Sequence, residues 1–317
     1  MGIKIDDVVF EKGSVLVTNC ELDSEYPDWN VPEASKTTGV YQRWHLSPHE
    51  NIEDLAFKTF KKFFDETRES LDDIEVLIVV TQSFHKRSPG LSSEIHKKYS
   101  LHRKILTIDL NEACGGFVKA LILANSLIST NSFQSAHILC VDAYSKFTNE
   151  GDRSVRLLFS DAASMTRVSA SKENNIGMLS FSSGIDSESV DYLNIHPSDH
   201  DLGKDIFFMN GAKTLIQVLN IIPKSVSNVT LNYNLDDVKF FMFHQASRVV
   251  LDGLKRELGI MDERILSNLH DMGNLGSSSI PALIASSIRQ NQLEKGDLIV
   301  LSSFGIGFTW STCLMRW

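Results

Sequence analysis

The stretch Ile105-Leu-Thr-Ile-Asp-Leu-Asn-Glu-Ala-Cys-Gly-Gly-Phe-Val-Lys-Ala-Leu-Ile-Leu-Ala-Asn-Ser-Leu127 decides the reading of the fold. Ile105 to Asp109 has the length and composition of a buried strand. A turn of small residues follows at Ala113 to Gly116, and an apolar helix then runs to Leu127. A strand feeding a helix through a tight turn is the start of a parallel β-α unit, so an α/β fold is expected.

The same pattern returns later in the chain. Ile265 to Leu269 reads as a strand, Gly273 to Ser279 as the turn, and the residues up to Ile288 as the helix. The flanking units recur in the same order. Glu75 to Thr81 is a buried strand followed by an amphipathic stretch ending near Leu101, and Val238 to His244 is followed in the same way by Gln245 to Leu258. A third strand lies at Ala136 to Val141 and again at Asp297 to Ser302, and the separations from Cys114 to Ala136 and from Asn274 to Asp297 agree within one residue. Strands and helices alternate in any α/β chain, so order and spacing carry the repeat. Two similar α/β halves are expected, residues 1–170 and 171–317, with the boundary in the polar stretch Ser169 to Asn175.

Parallel sheets build sites at the carboxyl ends of their strands, and the repeat puts Cys114, His244 and Asn274 there. Cys114 precedes a helix N-terminus, where unsatisfied amides and the macrodipole favour thiolate over thiol. Ala113, Gly115 and Gly116 remove bulk around the sulfur, so a carbonyl can approach and backbone N–H groups can meet its oxygen. Most cysteines are merely small buried apolar residues, and Cys20, Cys140 and Cys313 are read in that way. Of the histidines, His45, His49, His96 and His200 are read as surface or structural, whereas His244 ends a buried strand. Asn is an ordinary turn residue, so Asn274 gains its interest only from position. Phe304-Gly-Ile-Gly-Phe-Thr-Trp310 suits either a hairpin or a close approach of backbone to a bound group.

The 317 residues carry 42% hydrophobic and 22% charged side chains, which is globular usage. A net charge of −9 argues against non-specific nucleic-acid binding. The longest apolar stretch, around Val118 to Ile128, contains Lys119 and Asn125 and is too short for a membrane span. Met1 to Val9 lacks the features of a secretory signal, so a cytoplasmic location is expected. The cysteines form no C-x-x-C pair and no ligand spacing is present, so neither a metal site nor a disulfide framework is expected.

Ala113-Cys-Gly-Gly-Phe117, His244-Gln-Ala246, Gly273-Asn274 with Ser277-Ser-Ser-Ile-Pro281, and Phe304-Gly-Ile-Gly-Phe-Thr-Trp310 occur in an order and spacing that resembles β-ketoacyl-acyl-carrier-protein synthase III, of the thiolase superfamily. The resemblance runs from Thr38-Gly39 to Arg316. It implies a duplicated, five-layer α-β-α-β-α fold and a homodimer. It implies Cys114 as the acylated nucleophile, His244 and Asn274 as the pair acting on a malonyl thioester, and the amides of Cys114 and Ile306 as the oxyanion hole. Arg153 matches an arginine near a coenzyme A entrance, and Gln245, Ser247, Arg248, Gly305 and Gly307 are further candidates for substrate contact. The implied substrates are acyl-coenzyme A or acyl carrier protein thioesters and a malonyl-carrier thioester, with no separate cofactor.

Some positions depart from the pattern. Lys36 and Thr37 precede Thr38 where the family has an arginine, and Trp29 and Trp44 are out of register with its adenine-stacking tryptophan. Ser160 and Ala162 stand where glycines are usual, Ala212 where an asparagine reaches the pantetheine arm, and Arg248 one place earlier than the usual basic residue. The expected reaction is a decarboxylative Claisen condensation through an acyl-cysteine. Transfer of the acyl group from Cys114 to a hydroxyl or amine remains an alternative. A non-catalytic scaffold is the reading from another class, and joint retention of Cys, His and Asn counts against it.

Overall fold

The computed structural model describes residues 2–146, 151–197 and 205–317, so His200 lies outside the described residues. In chain order the strands are β1 (Ile3–Lys12), β2 (Val15–Thr18), β3 (Gln42–His45), β4 (Val76–Val80), β5 (Leu106–Leu110), β6 (Ser135–Asp142), β7 (Ala162–Ala170), β8 (Gly177–Ile185), β9 (Leu193–Pro197), β10 (Asp205–Met209), β11 (Val238–Phe243), β12 (Leu298–Gly305) and β13 (Thr309–Arg316). The helices are α1 (Asn19–Glu25), α2 (Val31–Thr38), α3 (Ile52–Thr67), α4 (Leu91–Tyr99), α5 (Gly116–Ser129), α6 (Arg153–Arg156), α7 (Gly211–Val229), α8 (Arg248–Leu258), α9 (Leu269–Met272) and α10 (Ser279–Arg289).

Two sheets organise these elements. The first has the order β1-β7-β6-β4-β5 and the second β11-β12-β13-β8. In both, a parallel pair is extended by two antiparallel strands: β4 and β6 then β7 and β1, β11 and β12 then β13 and β8. This is the repeat expected from the sequence. β7 ends at Ala170 in the first sheet, and β8 begins at Gly177 in the second.

Helices α5 and α10 pack between the sheets; α3 and α4 cover the outer face of the first, and α7 and α8 pack on the second. The layers are therefore α-β-α-β-α. The sequence explains which helix goes where. α5 is apolar nearly all round, with Phe117, Val118, Ala120, Leu121 and Ala124 buried, as a helix between two sheets must be. α3 buries one stripe, Ile52, Leu55, Ala56, Phe60 and Phe63, and turns its lysines outward. Its start is fixed reciprocally: Asn51 Oδ1 accepts from Asp54 N–H at 2.9 Å and Asp54 Oδ2 from Asn51 N–H at 3.0 Å. Each fully buried Phe of these layers contributes roughly 2–3 kcal/mol by leaving water. No helix among the described residues is long and apolar enough to cross a membrane.

Two expectations are corrected here. The strand read at Ile265 to Leu269 shrinks to one parallel bridge, Phe241 with Ile265. The side chain of Gln245 replaces the missing ladder, donating to Leu266 O at 3.3 Å and accepting from Asn268 N–H at 3.3 Å, after which the chain coils into α9. Cys140 and Cys313 are buried as expected, but Cys20 is exposed. It sits two residues from Leu22, the buried residue of α1, and so on another side of that short helix.

Candidate active site

Cys114, His244 and Asn274 line one cavity of about 370 Å³ between the halves. Its wall is largely apolar and includes Phe159, Phe207, Leu215, Val218, Val250 and Phe304.

Cys114 sits in the turn before α5, and its thiol is almost entirely buried. The β12–β13 hairpin closes over it. A Cβ on Gly305 would lie 3.0 Å from Cys114 Cβ and 3.2 Å from the Gly115 amide nitrogen, so any larger residue would push on the cysteine turn. Ser303 Oγ also donates to Gly115 O at 2.8 Å. The segment read as either a hairpin or a close approach to a bound group is a hairpin, and its close approach is to the cysteine turn. Burial pushes the Cys114 thiol up to about 12, and the Asp142 carboxylate adds to the rise. Burial and the Asp142 charge thus oppose the thiolate that a helix N-terminus favours.

His244 follows β11, and its backbone N–H donates to Ser302 O at 2.9 Å. Its ring meets Phe304 edge-on with centroids 5.5 Å apart. Burial pulls the imidazole down to about 3, with the Gly276 backbone opposing, so the ring is neutral near pH 7. Nδ1 is buried and makes no hydrogen bond among the described residues.

Asn274 is held from both directions. Its N–H donates to Leu158 O at 2.9 Å and its carbonyl accepts from Ser160 N–H at 2.8 Å, so a segment of the first half fixes a residue of the second. Its side-chain Oδ1 accepts from Gly276 N–H at 3.0 Å. That bond assigns the amide orientation and leaves Nδ2 as the donor toward the cavity. Gly276 has φ +56, and a Cβ there would lie 2.7 Å from both Asp142 Oδ2 and Tyr144 Cε2, so the residue must be glycine.

The other candidates separate. Ser247 and Gly305 line the cavity. Gln245 does not: it is fully buried and its amide is spent on Phe243 O, Leu266 O and Asn268 N. Gly307 faces a separate polar recess with Asn111 and Glu112, while Ile306 borders both spaces. Arg153 is exposed on a depression that shares Thr37, Thr38 and Phe207 with the cavity mouth, and Arg248 is exposed in a groove beside Gly39 and Tyr41. Trp29 stacks on Tyr26 at 3.9 Å, and Trp44 lies under the Lys12 ammonium, so both rings are already engaged. His45 bonds Phe159 O and His96 bonds His102 O, as structural histidines.

Ser160 gains a role from its departure. Its hydroxyl accepts from Trp44 N–H at 2.9 Å and donates to Met272 O at 2.5 Å, lacing β3 to the segment before Asn274. Two residues at the site escaped sequence reading, Tyr144 and Gln82. Both follow parallel strands at their carboxyl ends, β6 and β4, so the positional rule that selected Cys114 and His244 applies equally to them.

Residues 108–187 match the family model described as 3-oxoacyl-[acyl-carrier-protein (ACP)] synthase III, and residues 230–317 match the model of its C-terminal part. Cys114 falls in the first match; His244, Asn274 and the β12–β13 hairpin fall in the second. The chain is 30% identical over 336 residues to a β-ketoacyl-[acyl-carrier-protein] synthase III of Prochlorococcus marinus, covering 100% of this chain and 99% of that protein. A synthase of the same name from Streptococcus agalactiae is 30% identical, with 99% and 98% covered. The crystal structure of a 3-oxoacyl-(acyl-carrier protein) synthase from Burkholderia xenovorans superposes with a TM-score of 0.91 at 27% identity, covering 100% of this chain and 94% of that one. With the duplicated five-layer fold and full-length identity at this level, the chain belongs to the β-ketoacyl-acyl-carrier-protein synthase III family of the thiolase superfamily.

Proposed function

We propose that this chain is a condensing acyltransferase that joins an acyl thioester to a malonyl thioester with loss of carbon dioxide, in fatty-acid or related lipid synthesis. The observation that carries the reading is the convergence of Cys114, neutral His244 and the Nδ2 donor of Asn274 on one apolar cavity.

In the first half-reaction the Cys114 sulfur attacks the acyl carbonyl. The new S–C bond replaces the thioester bond of the donor, and the proton lost by Cys114 ends on the departing thiol. The backbone amides of Cys114 and Ile306 are the donors for the tetrahedral oxyanion, each worth about 3–4 kcal/mol in the transition state. In the second, His244 Nε2–H and Asn274 Nδ2–H meet the thioester oxygen of the malonyl group. The C–CO₂ bond breaks, its electron pair forms the enolate, and the enolate carbon attacks the acyl-cysteine, releasing the Cys114 thiolate. Neutral donors suit this step because a carboxylate beside the developing enolate would oppose it. The low basicity of buried His244 favours the donor role over the general base that transfer to an alcohol or amine requires.

The apolar wall suits the alkyl part of an acyl group. Arg153 beside the mouth suits an anionic carrier, either acyl carrier protein or coenzyme A, and Arg248 lies in a separate groove next in sequence to Ser247 of the cavity lining. We assign the dimer contact to β5, the edge strand of the first sheet, where Leu106 is exposed. β6 is interior and fully buried between β4 and β7, so it offers no edge.

The test is mass spectrometry of the protein after exposure to a panel of acyl thioesters, together with carbon dioxide release from malonyl carrier protein. An acyl adduct on Cys114, and release that persists in Cys114→Gln but falls in His244→Ala, are expected. Absence of any release from wild type, with acyl transfer to an alcohol or amine, would replace condensation by simple transfer.

A further inference from the structure

The cavity carries a chain of polar groups that the reaction above does not use. Tyr144 is fully buried at the start of the turn after β6, and its hydroxyl lies 3.8 Å from Cys114 Sγ. Gln82, just after β4, donates from Nε2 to the Tyr144 hydroxyl oxygen at 3.1 Å. The ring is wedged between Phe159, with centroids 4.3 Å apart, and the Gly276 turn, so the phenol cannot swing away without displacing the residues that hold Asn274.

We infer that Tyr144, oriented by Gln82, donates its hydroxyl proton to the Cys114 sulfur and stabilises the thiolate that attacks the acyl donor. A phenol oxygen that accepts from Gln82 is the more polarised as a donor to the sulfur, since each bond in such a chain strengthens the next. The bond is strongest when sulfur carries full charge, before attack and again when the enolate releases it. Tyr144 is then a catalytic residue, since it touches the reacting atom.

The need for such a donor follows from what else faces the sulfur. Asp142 on β6 opposes a second negative charge. His244 at the end of β11 is held neutral, and the Asn274 amide carries no charge. Glu112, paired with Lys119 on α5, lines the separate polar recess and not the cavity. Tyr144 and the amide of Cys114 itself are the groups that favour the thiolate.

The inference rests on Cys114 as nucleophile, and its test separates the two claims. The rate of iodoacetamide alkylation at Cys114 is measured by peptide mass at mildly alkaline pH, which keeps exposed Cys20 out of the signal. Tyr144→Phe retains the ring and removes only the donor; alkylation slows about tenfold, the usual worth of a hydrogen bond to a charged group. Asp142→Asn shifts the rate the other way, to faster alkylation. Opposite signs from neighbouring residues would not arise from loosened packing. Gln82→Met removes the bond that orients the phenol and slows alkylation by a smaller factor; it decides the matter if Tyr144→Phe fails to fold. Wild-type or faster alkylation in Tyr144→Phe, or in Gln82→Met in its place, overturns the role of Tyr144. If wild type accepts no acyl group on Cys114, the condensing reading fails instead, and the alkylation comparison still stands.

Discussion

In the first half, β5 pairs with β4 along Leu106–Leu110 before the chain enters the reactive turn. In the second half the equivalent segment meets β11 at a single bridge, and a glutamine side chain supplies the remaining bonds. The two turns also present different parts of themselves. In the proposed reaction both the side chain and the backbone amide of Cys114 act, which calls for a rigid turn, whereas Asn274 acts through its side-chain amide alone, and its turn can be held from outside. The first-half segment Leu158 to Ser160 does so, while the second-half hairpin at Gly305 steadies Cys114. Each half fixes the other's reactive residue, so duplication has produced mutual support rather than two independent sites.

The sharpest way to break this contrast is Asn274→Asp. It keeps an acceptor for Gly276 N–H but replaces the donor with a charged oxygen; malonyl decarboxylation should fall on the order of 10²–10³-fold while acylation of Cys114 continues. Acylation and decarboxylation assays run in parallel read the split, and equal losses in both would mean the turns do not divide the work.

Next in size is Gly305→Ala. The added methyl would press on Cys114 and shift the sulfur, lowering the acylation rate about ten- to hundredfold. Stopped-time mass spectrometry checks it, and an unchanged rate would show that the hairpin does not steady the nucleophile.

A third prediction concerns Asp142, which accepts from Ser277 of the second half and from Gln82 and Ser83 of the first. Burial raises its carboxyl from 3.8 to about 6. The native state therefore binds this proton more tightly than the unfolded chain. The associated stability is fully present below the unfolded value and is lost as pH rises toward 6. Denaturant titrations of Asp142→Asn and wild type should show their difference shifting in favour of the variant by on the order of 3 kcal/mol across that window. A pH-independent difference would mean that the Asp142 carboxyl titrates alike in the native and unfolded states.

The smallest effect is Ser160→Ala, which removes the lace between Trp44 and Met272. It should cost about 1–2 kcal/mol and a few degrees in Tm, with catalysis little changed. A calorimetric scan reads it.

The repeat was legible because strand, small-residue turn and helix are local patterns, and Cys114, His244 and Asn274 stood out because the repeat located strand ends. Cooperation between distant residues was not legible. Gln245 looked like part of a substrate motif, yet its neighbours Leu266 and Asn268 make it a substitute for backbone pairing. Tyr144 has the composition of an ordinary core aromatic, and only the 3.8 Å approach to Sγ gives it another meaning. The burial that opposes a Cys114 thiolate was not legible for a related reason: a helix start is local, whereas burial is the work of the whole fold.

The bond from Ser303 to Gly115 joins points 188 residues apart. On a ribosome adding ~5–20 residues per second, the cysteine turn therefore waits on the order of 10–40 s for the hairpin that completes it. Throughout that interval the nascent chain carries the Cys114 turn without the hairpin that packs against it or the cavity wall that the second half supplies. The cavity that Cys114 shares with His244 and Asn274 comes into being only when the last sheet is laid down.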